Sequence, residues 1–158
     1  MIQLSKAGSI RLVYWGLSLA YLVICMHLPI SIVAYNIHDD ALYINNAKWI
    51  YSGNWLGPFN QMTLCKGASF PIFLAMNAVT GLPITLTLAL FYLFSCLVLA
   101  TALRRLVVNE YIILLLFALL LFHPQMFPYR ILRENIYSSL TLLVLAGTIQ
   151  AITWGRDE

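Results

Sequence analysis

Between Leu12 and Val33 the chain carries no Lys, Arg, Asp or Glu. A helix needs about 20 mainly apolar residues to cross a hydrocarbon core roughly 30 Å thick, so this run alone is of spanning length. The chain as a whole extends the argument. Of its 158 residues 61% are hydrophobic and 9% charged, more apolar surface than one modest core can hide, and the surplus is expected to face lipid. A formal charge of +3 would suggest nucleic acid only if the basic residues were clustered. They are scattered between apolar blocks, so no nucleic-acid partner is expected.

Lys6 and Arg11 precede the first run as in a signal peptide. The run is too long for one and no small-x-small cleavage site follows, so it reads as a retained anchor over about 12–33. A second uncharged run, 82–103, stops at Arg104 and Arg105, basic residues of the kind kept on the cytoplasmic side. The stretch Tyr111 to Phe122 is too short to cross alone. It becomes a span, 111–128, if the helix continues through His123-Pro124-Gln125 or the bilayer thins. A fourth run, 136–154, ends before Gly155. The expected fold is therefore all-α and integral to a membrane, one module over 1–158 with about four transmembrane helices.

With the N-terminus inside, Lys6, Arg11, Arg104, Arg105 and Arg156 are cytoplasmic. Lys48, Lys66, Arg130 and Arg133 then face outward, with both chain ends cytoplasmic and the first loop outside. There is no Asn-x-Ser/Thr acceptor, and an uncleaved anchor without glycosylation sites fits a bacterial inner (cytoplasmic) membrane. Cys25, Cys65 and Cys96 are odd in number, two of them within apolar runs, and are read as packing residues.

The outer loop, 34–81, is far longer than a connection between two helices needs, and loops of this kind are usually functional. Asp39 can cap a helix whose apolar positions Tyr43, Ala47, Ile50 and Tyr51 share a face, and Gly53 can end it. Pro58 and the stretch Gln61 to Gly67 read as irregular chain. Pro71 opens a second short helix reaching about Val79, which Gly81 and Pro83 break before span two. Both short helices are expected to lie at the interface, where Trp49, Tyr51, Trp55 and Phe59 suit the headgroup level.

The groups able to do chemistry gather around this loop. Adjacent carboxylates at Asp39 and Asp40 follow span one, and His38 can join them. One carboxylate can act as a base while the other holds a metal or a donor. The plainer reading makes Asp39 a cap and Asp40 a solvated residue of the first turn. Lys66 beside Gly67 can neutralise a lipid phosphate, or simply snorkel to anionic headgroups. Arg130 and Arg133, one turn apart if the segment is helical, can clamp a phosphate; Arg130 and Glu134 can equally form an ion pair at i, i+4. His27 and His123 read as hydrogen-bonded structure, and no carboxylate or cation sits at mid-span, which argues against a proton relay.

Asp39-Asp40-Ala41-Leu42-Tyr43 after span one and Lys66-Gly67-Ala68-Ser69-Phe70-Pro71-Ile72-Phe73-Leu74 before span two together resemble the start of GT-C membrane glycosyltransferases. The nearest comparison is the protein O-mannosyltransferase and aminoarabinose transferase group. The resemblance implies transfer of a sugar from a polyprenyl-phosphate donor to an acceptor on the outer face, with inversion at the sugar carbon. It implies Asp39 as the catalytic acidic position, Asp40 as its partner, and Lys66 as a contact to donor phosphate. Tyr43, Arg130 and Arg133 join the donor-phosphate set, and Asp39 and Asp40 would hold a divalent cation, Mg or Mn. The comparison motif usually has prolines where Gly67 and Ala68 stand, and catalytic members have many more spans. The chain then reads as an N-terminal fragment, a reduced member, or half of a split enzyme completed by a second membrane protein. Two rival readings are a non-catalytic subunit that binds a lipid or partner protein through the first loop, and a structural helical unit with no ligand.

Overall fold

The computed structural model describes residues 6–31, 39–55, 57–58 and 67–154, but not the side chains of Lys6, Ala7 and Asp39. Among the described residues there are six α-helices, one 3-10 turn and no strand. The helices are α1 (Lys6–His27), α2 (Asp39–Tyr51), α3 (Ser69–Thr80), α4 (Ile84–Leu103), α5 (Glu110–Leu121) and α6 (Glu134–Thr153), with the 3-10 turn at Pro124–Met126. Three of them, α1, α4 and α6, are long and apolar enough to cross a membrane. At about 1.5 Å per residue each reaches roughly 30 Å. Large apolar side chains point away from the protein, with Trp15 74%, Val144 69% and Leu119 61% exposed. In water that would be a liability, whereas against lipid tails it is the ordinary condition. The chain has the build of a helical membrane protein.

Helix α4 is central and packs against α1, α3, α5 and α6. One core cluster joins Tyr14, Tyr21 and Cys25 of α1 to Ala89, Tyr92, Leu93 and Cys96 of α4 and to Ile113, Phe117 and Leu121 of α5. A second joins Leu99 and Ala102 of α4 to Ala146 and Ile149 of α6. Buried Ser95 and Ser139 continue this α4–α6 seam with small side chains that let the backbones approach. Their hydroxyls bond to the carbonyls of Phe91 and Asn135 in their own helices, so the seam leaves neither unsatisfied.

Two expected boundaries move. Helix α1 stops at His27 rather than running to Val33. Leu28 precedes Pro29, whose ring disfavours the helical conformation in the residue before it. Residues 32 and 33 lie outside the described residues. His27 accordingly sits in the last turn, its Nδ1 2.8 Å from the Val23 carbonyl.

The third passage differs more. Helix α5 ends at Leu121 and does not continue to Pro128, and its 12 residues rise only about 18 Å, well short of a roughly 30 Å core. The chain nevertheless returns along the full depth of the molecule, because α4 and α6 run in the same direction. Leu88 and Ile136 share a cluster at their first turns, and Leu99 and Ala102 share another with Ala146 and Ile149 further along. At the beginning of the return Glu110 pairs with Arg104, and at its end the Tyr129 carbonyl accepts from Ser31 N just beyond α1. The last third of this passage is therefore not α-helical. Backbone of that kind is tolerated at membrane depth only where protein satisfies it. Two tyrosines do so: buried Tyr92 donates to the Leu120 carbonyl at 2.8 Å and buried Tyr21 to the Met126 carbonyl at 3.4 Å. Phe122 and Phe127 pack on the Tyr21 ring. His123 caps the 3-10 turn by accepting from Gln125 N.

The loop holds the two short helices expected of it. Gly53 and Gly81 follow α2 and α3 at φ +81° and +68°, the left-handed conformation that ends a helix. Pro71 falls in the first turn of α3, where its missing N–H costs nothing. The helices pack on each other, and Tyr43, Ala47, Phe70, Leu74 and Ala75 form a cluster that Leu88, Ile131 and Ile136 complete. Tyr51, expected on the apolar face of α2, is instead 62% exposed; Asp40 and Asn46 take inward positions.

Candidate functional site

Helix α2 turns Asp40, Tyr43, Asn46 and Ala47 inward, positions three and four apart and hence on one face. At its first turn this face meets the segment between the 3-10 turn and α6. Asp40 is 0% exposed, and its Oδ2 accepts a hydrogen bond from Arg130 Nη2 at 3.1 Å. The other oxygen, Oδ1, accepts from the Ala41 amide at 3.3 Å. Arg130 is held in turn: Asn135 at the start of α6 donates to the Arg130 carbonyl at 2.7 Å, and Ser31 N reaches the neighbouring Tyr129 carbonyl at 2.8 Å. Three parts of the chain, 28–31, α2 and 129–135, thus converge on one ion pair whose members stand 90 residues apart.

The electrostatics follow. Burial pushes the Asp40 carboxyl up, but the hydrogen bond and charge of Arg130, with the amides of Asp40 and Ala41, outweigh it, and the group titrates below the usual carboxylate range. A carboxylate so held is a weak base and a strong anchor. Arg130 retains an unused donor, since its Nε is buried without a hydrogen-bond partner among the described residues. Leaving such a charged donor unmade is costly, and an incoming anion would remove that cost. Arg133 bonds Glu134 at 3.2 Å and lies 5.9 Å from the centre of the Tyr137 ring. The Glu134 hydrogen bond and the neighbouring Tyr43 hydroxyl hold its pKa further up, so it stays charged.

The expected site residues fare unequally. Asp40 and Arg130 are brought together, and Arg133 stands close by. The Arg130–Glu134 pair does not form, because residues 131 and 132 are not helical and α6 begins only at Glu134, so the i, i+4 geometry is absent. Glu134 pairs with Arg133 instead. Tyr43 is a core residue, 1% exposed, its ring edge-on to Phe70 at 5.0 Å. Asp39 opens α2, but its side chain lies outside the description, and His38 and Lys66 lie outside the described residues. Asp40 is committed to Arg130, and among the described residues no three of His, Cys, Asp or Glu come together.

Sequence reasoning overlooked Asn135, Tyr21 and Tyr92. Asn135 follows the glutamate that opens α6, a position where a short amide side chain readily bonds nearby backbone. The tyrosines stand within uncharged runs, where a phenol hydroxyl needs a partner, and that need was the available signal.

Two cavities flank this end of the molecule. One of about 480 Å³ lies between Tyr92 and the α5 end on one side and Glu134 to Leu142 of α6 on the other, with His123 and Met126 on its wall. Another, about 380 Å³, separates α2 from α3 and reaches Ile84 and Ile131. No protein-family model matches the chain, and neither a curated protein nor a solved structure does.

Proposed function

We propose that the chain is a GT-C-like glycosyltransferase module, whole or one part of a split enzyme, that moves a sugar from a polyprenyl-phosphate donor to an acceptor at the outer membrane interface. The observation that carries this reading is the buried Asp40–Arg130 pair at the meeting of the first span, the loop helices and the start of α6. Of the two adjacent carboxylates, the one bound to arginine is the positioning group. That leaves Asp39 as the general base that takes the acceptor hydroxyl's proton as the oxygen attacks the sugar carbon. Arg130 and Arg133, with Lys66, neutralise the charge that builds on the departing polyprenyl phosphate. Four crossings are part of the proposal, the third made by α5 and the chain after it, with both ends cytoplasmic in a bacterial inner membrane.

Transfer from a polyprenyl-phosphate sugar, measured in proteoliposomes alongside binding of the donor, tests these roles. Asp39→Asn should abolish turnover and leave donor binding within about twofold, while Arg130→Gln should weaken donor binding about tenfold or more. Full turnover by folded Asp39→Asn would remove the base assignment. A second reading, a non-catalytic subunit that docks a protein through the loop, is favoured by the exposure of Trp49 (41%), Tyr51 (62%) and Trp55 (67%). It requires that Trp55→Ala abolish partner capture and that Asp39→Asn do nothing.

A further inference from the structure

At the opposite end from the Asp40–Arg130 pair, where α1 begins and α4 turns into α5, two cavities share Arg11 and Arg104 in their walls. The outer one, about 610 Å³, has Asn109, Glu110 and Tyr111 beside the arginines, with Ile10 and Val108 completing its wall. The inner one, about 330 Å³, is an apolar crevice between α1 and α4, bounded by Leu19, Leu22, Leu93 and Leu97. From Arg11 to Leu22 along α1 is about 16 Å at 1.5 Å per residue, the depth of one leaflet of a roughly 30 Å core. The crevice thus has the length of one acyl chain, the cations stand where a lipid phosphate would lie, and the outer cavity, with Asn109 and Glu110 in its wall, is where a headgroup would extend.

Arg104 is also prepared for this. Arg104 bonds Glu110 at 3.1 Å, and its guanidinium lies 5.5 Å from the centre of the Tyr14 ring, so its plane is held before any ligand arrives. Among the described residues that line the two cavities, Arg11 and Arg104 outnumber Glu110, which leaves net positive charge at the mouth of an apolar crevice. Glu110 and Asn109 supply acceptors and suit a hydroxylated headgroup.

We propose that this crevice binds one anionic glycerophospholipid with a hydroxyl-bearing headgroup, its phosphate between Arg11 and Arg104 and a chain along α1 and α4. The site is separate from the outer ion pair and does not depend on the glycosyltransferase reading. Native mass spectrometry of the detergent-solubilised full chain, titrated with phosphatidylglycerol or phosphatidylcholine, tests it. One phosphatidylglycerol should bind about tenfold more tightly than phosphatidylcholine. Arg11→Gln and Arg104→Gln should each bring that ratio close to one. Leu97→Trp, which fills the crevice and keeps both charges, should remove phosphatidylglycerol binding, while Lys48→Gln at the far end should leave the ratio unchanged. Equal affinity for the two lipids would overturn the proposal. So would a preference that survives both Arg11→Gln and Leu97→Trp, or displacement of the lipid by inorganic phosphate at equal concentration, which would show a headgroup site without a chain groove.

Discussion

Arg130→Gln takes the cation away from a carboxylate that has no access to water. Removing one member of a fully buried pair costs about 3–5 kcal/mol, because the survivor is left charged and desolvated. Here Asp40 has a side chain 1% exposed but Arg130 is 36% exposed, so part of the attraction is already screened and the cost falls to the bottom of that range or below it. About 2–3 kcal/mol is expected, comparable with the loss of one charge-assisted hydrogen bond plus part of the burial penalty. Asp40→Asn should cost less, since a neutral amide tolerates burial better, and the double variant should recover at least about 1 kcal/mol of the summed losses. Reversible unfolding in mixed micelles, followed by circular dichroism, gives all four corners of the cycle.

The pH dependence supplies a second arm of the same prediction. Asp40 in the folded chain titrates below its unfolded value of about 3.9, so the unfolded state binds more protons in that window. The pair's contribution is therefore fully present above pH ~4 and is lost as pH falls through the folded pKa. In Arg130→Gln the dominant remaining influence is burial, which acts in the opposite direction, so stability should rise as pH is lowered from neutral toward 5. A coupling below ~0.5 kcal/mol, or identical pH profiles for wild type and Arg130→Gln, would refute the argument that this pair organises the loop.

Gly57 adopts φ +69°, and a Cβ there would lie 2.2 Å from the Trp49 ring, so Gly57→Ala should cost about 1–3 kcal/mol and shift Trp49 fluorescence. An unchanged spectrum and midpoint would show that the loop does not fold back on α2. Tyr92→Phe removes the shorter of the two hydrogen bonds to the Leu120 carbonyl at the broken end of α5, the other coming from the His123 amide. Its expected cost is about 1 kcal/mol, with faster hydrogen exchange at Phe122 and His123, and unaltered exchange there would argue against the tyrosine's role.

The helices were legible wherever one local rule governed them. The uncharged run behind α4 needed only its length, and Gly53 and Gly81 ended the loop helices because only glycine takes a positive φ without strain. Pro29 was equally readable as a stop, and the expectation that α1 runs to Val33 gave it too little weight. The third passage was harder. Pro124 marks a stop near Leu121 as Pro29 does for α1, but nothing in residues 111–128 taken alone says how the exposed end is satisfied, which Tyr21 and Tyr92 of two other helices do.

Among the candidate site residues, the acidic pair and the arginines could be singled out by type and position, since charged groups near hydrocarbon are costly and need a reason. Which of them would meet could not be read. Spacing favoured Arg130 with Glu134, yet the segment between them is not helical, and Arg130 pairs across 90 residues with Asp40. By itself the sequence determined that this chain places helices in lipid and carries its polar chemistry at their ends, because the cost of burying charge depends on composition along the chain. Only the tertiary structure decided that Asp40 is an anchor, that Tyr43 is core, and that Tyr21 and Tyr92 close the end of α5. Each of those outcomes depends on a partner distant in sequence, and a contact of that kind exists only once the helices have packed.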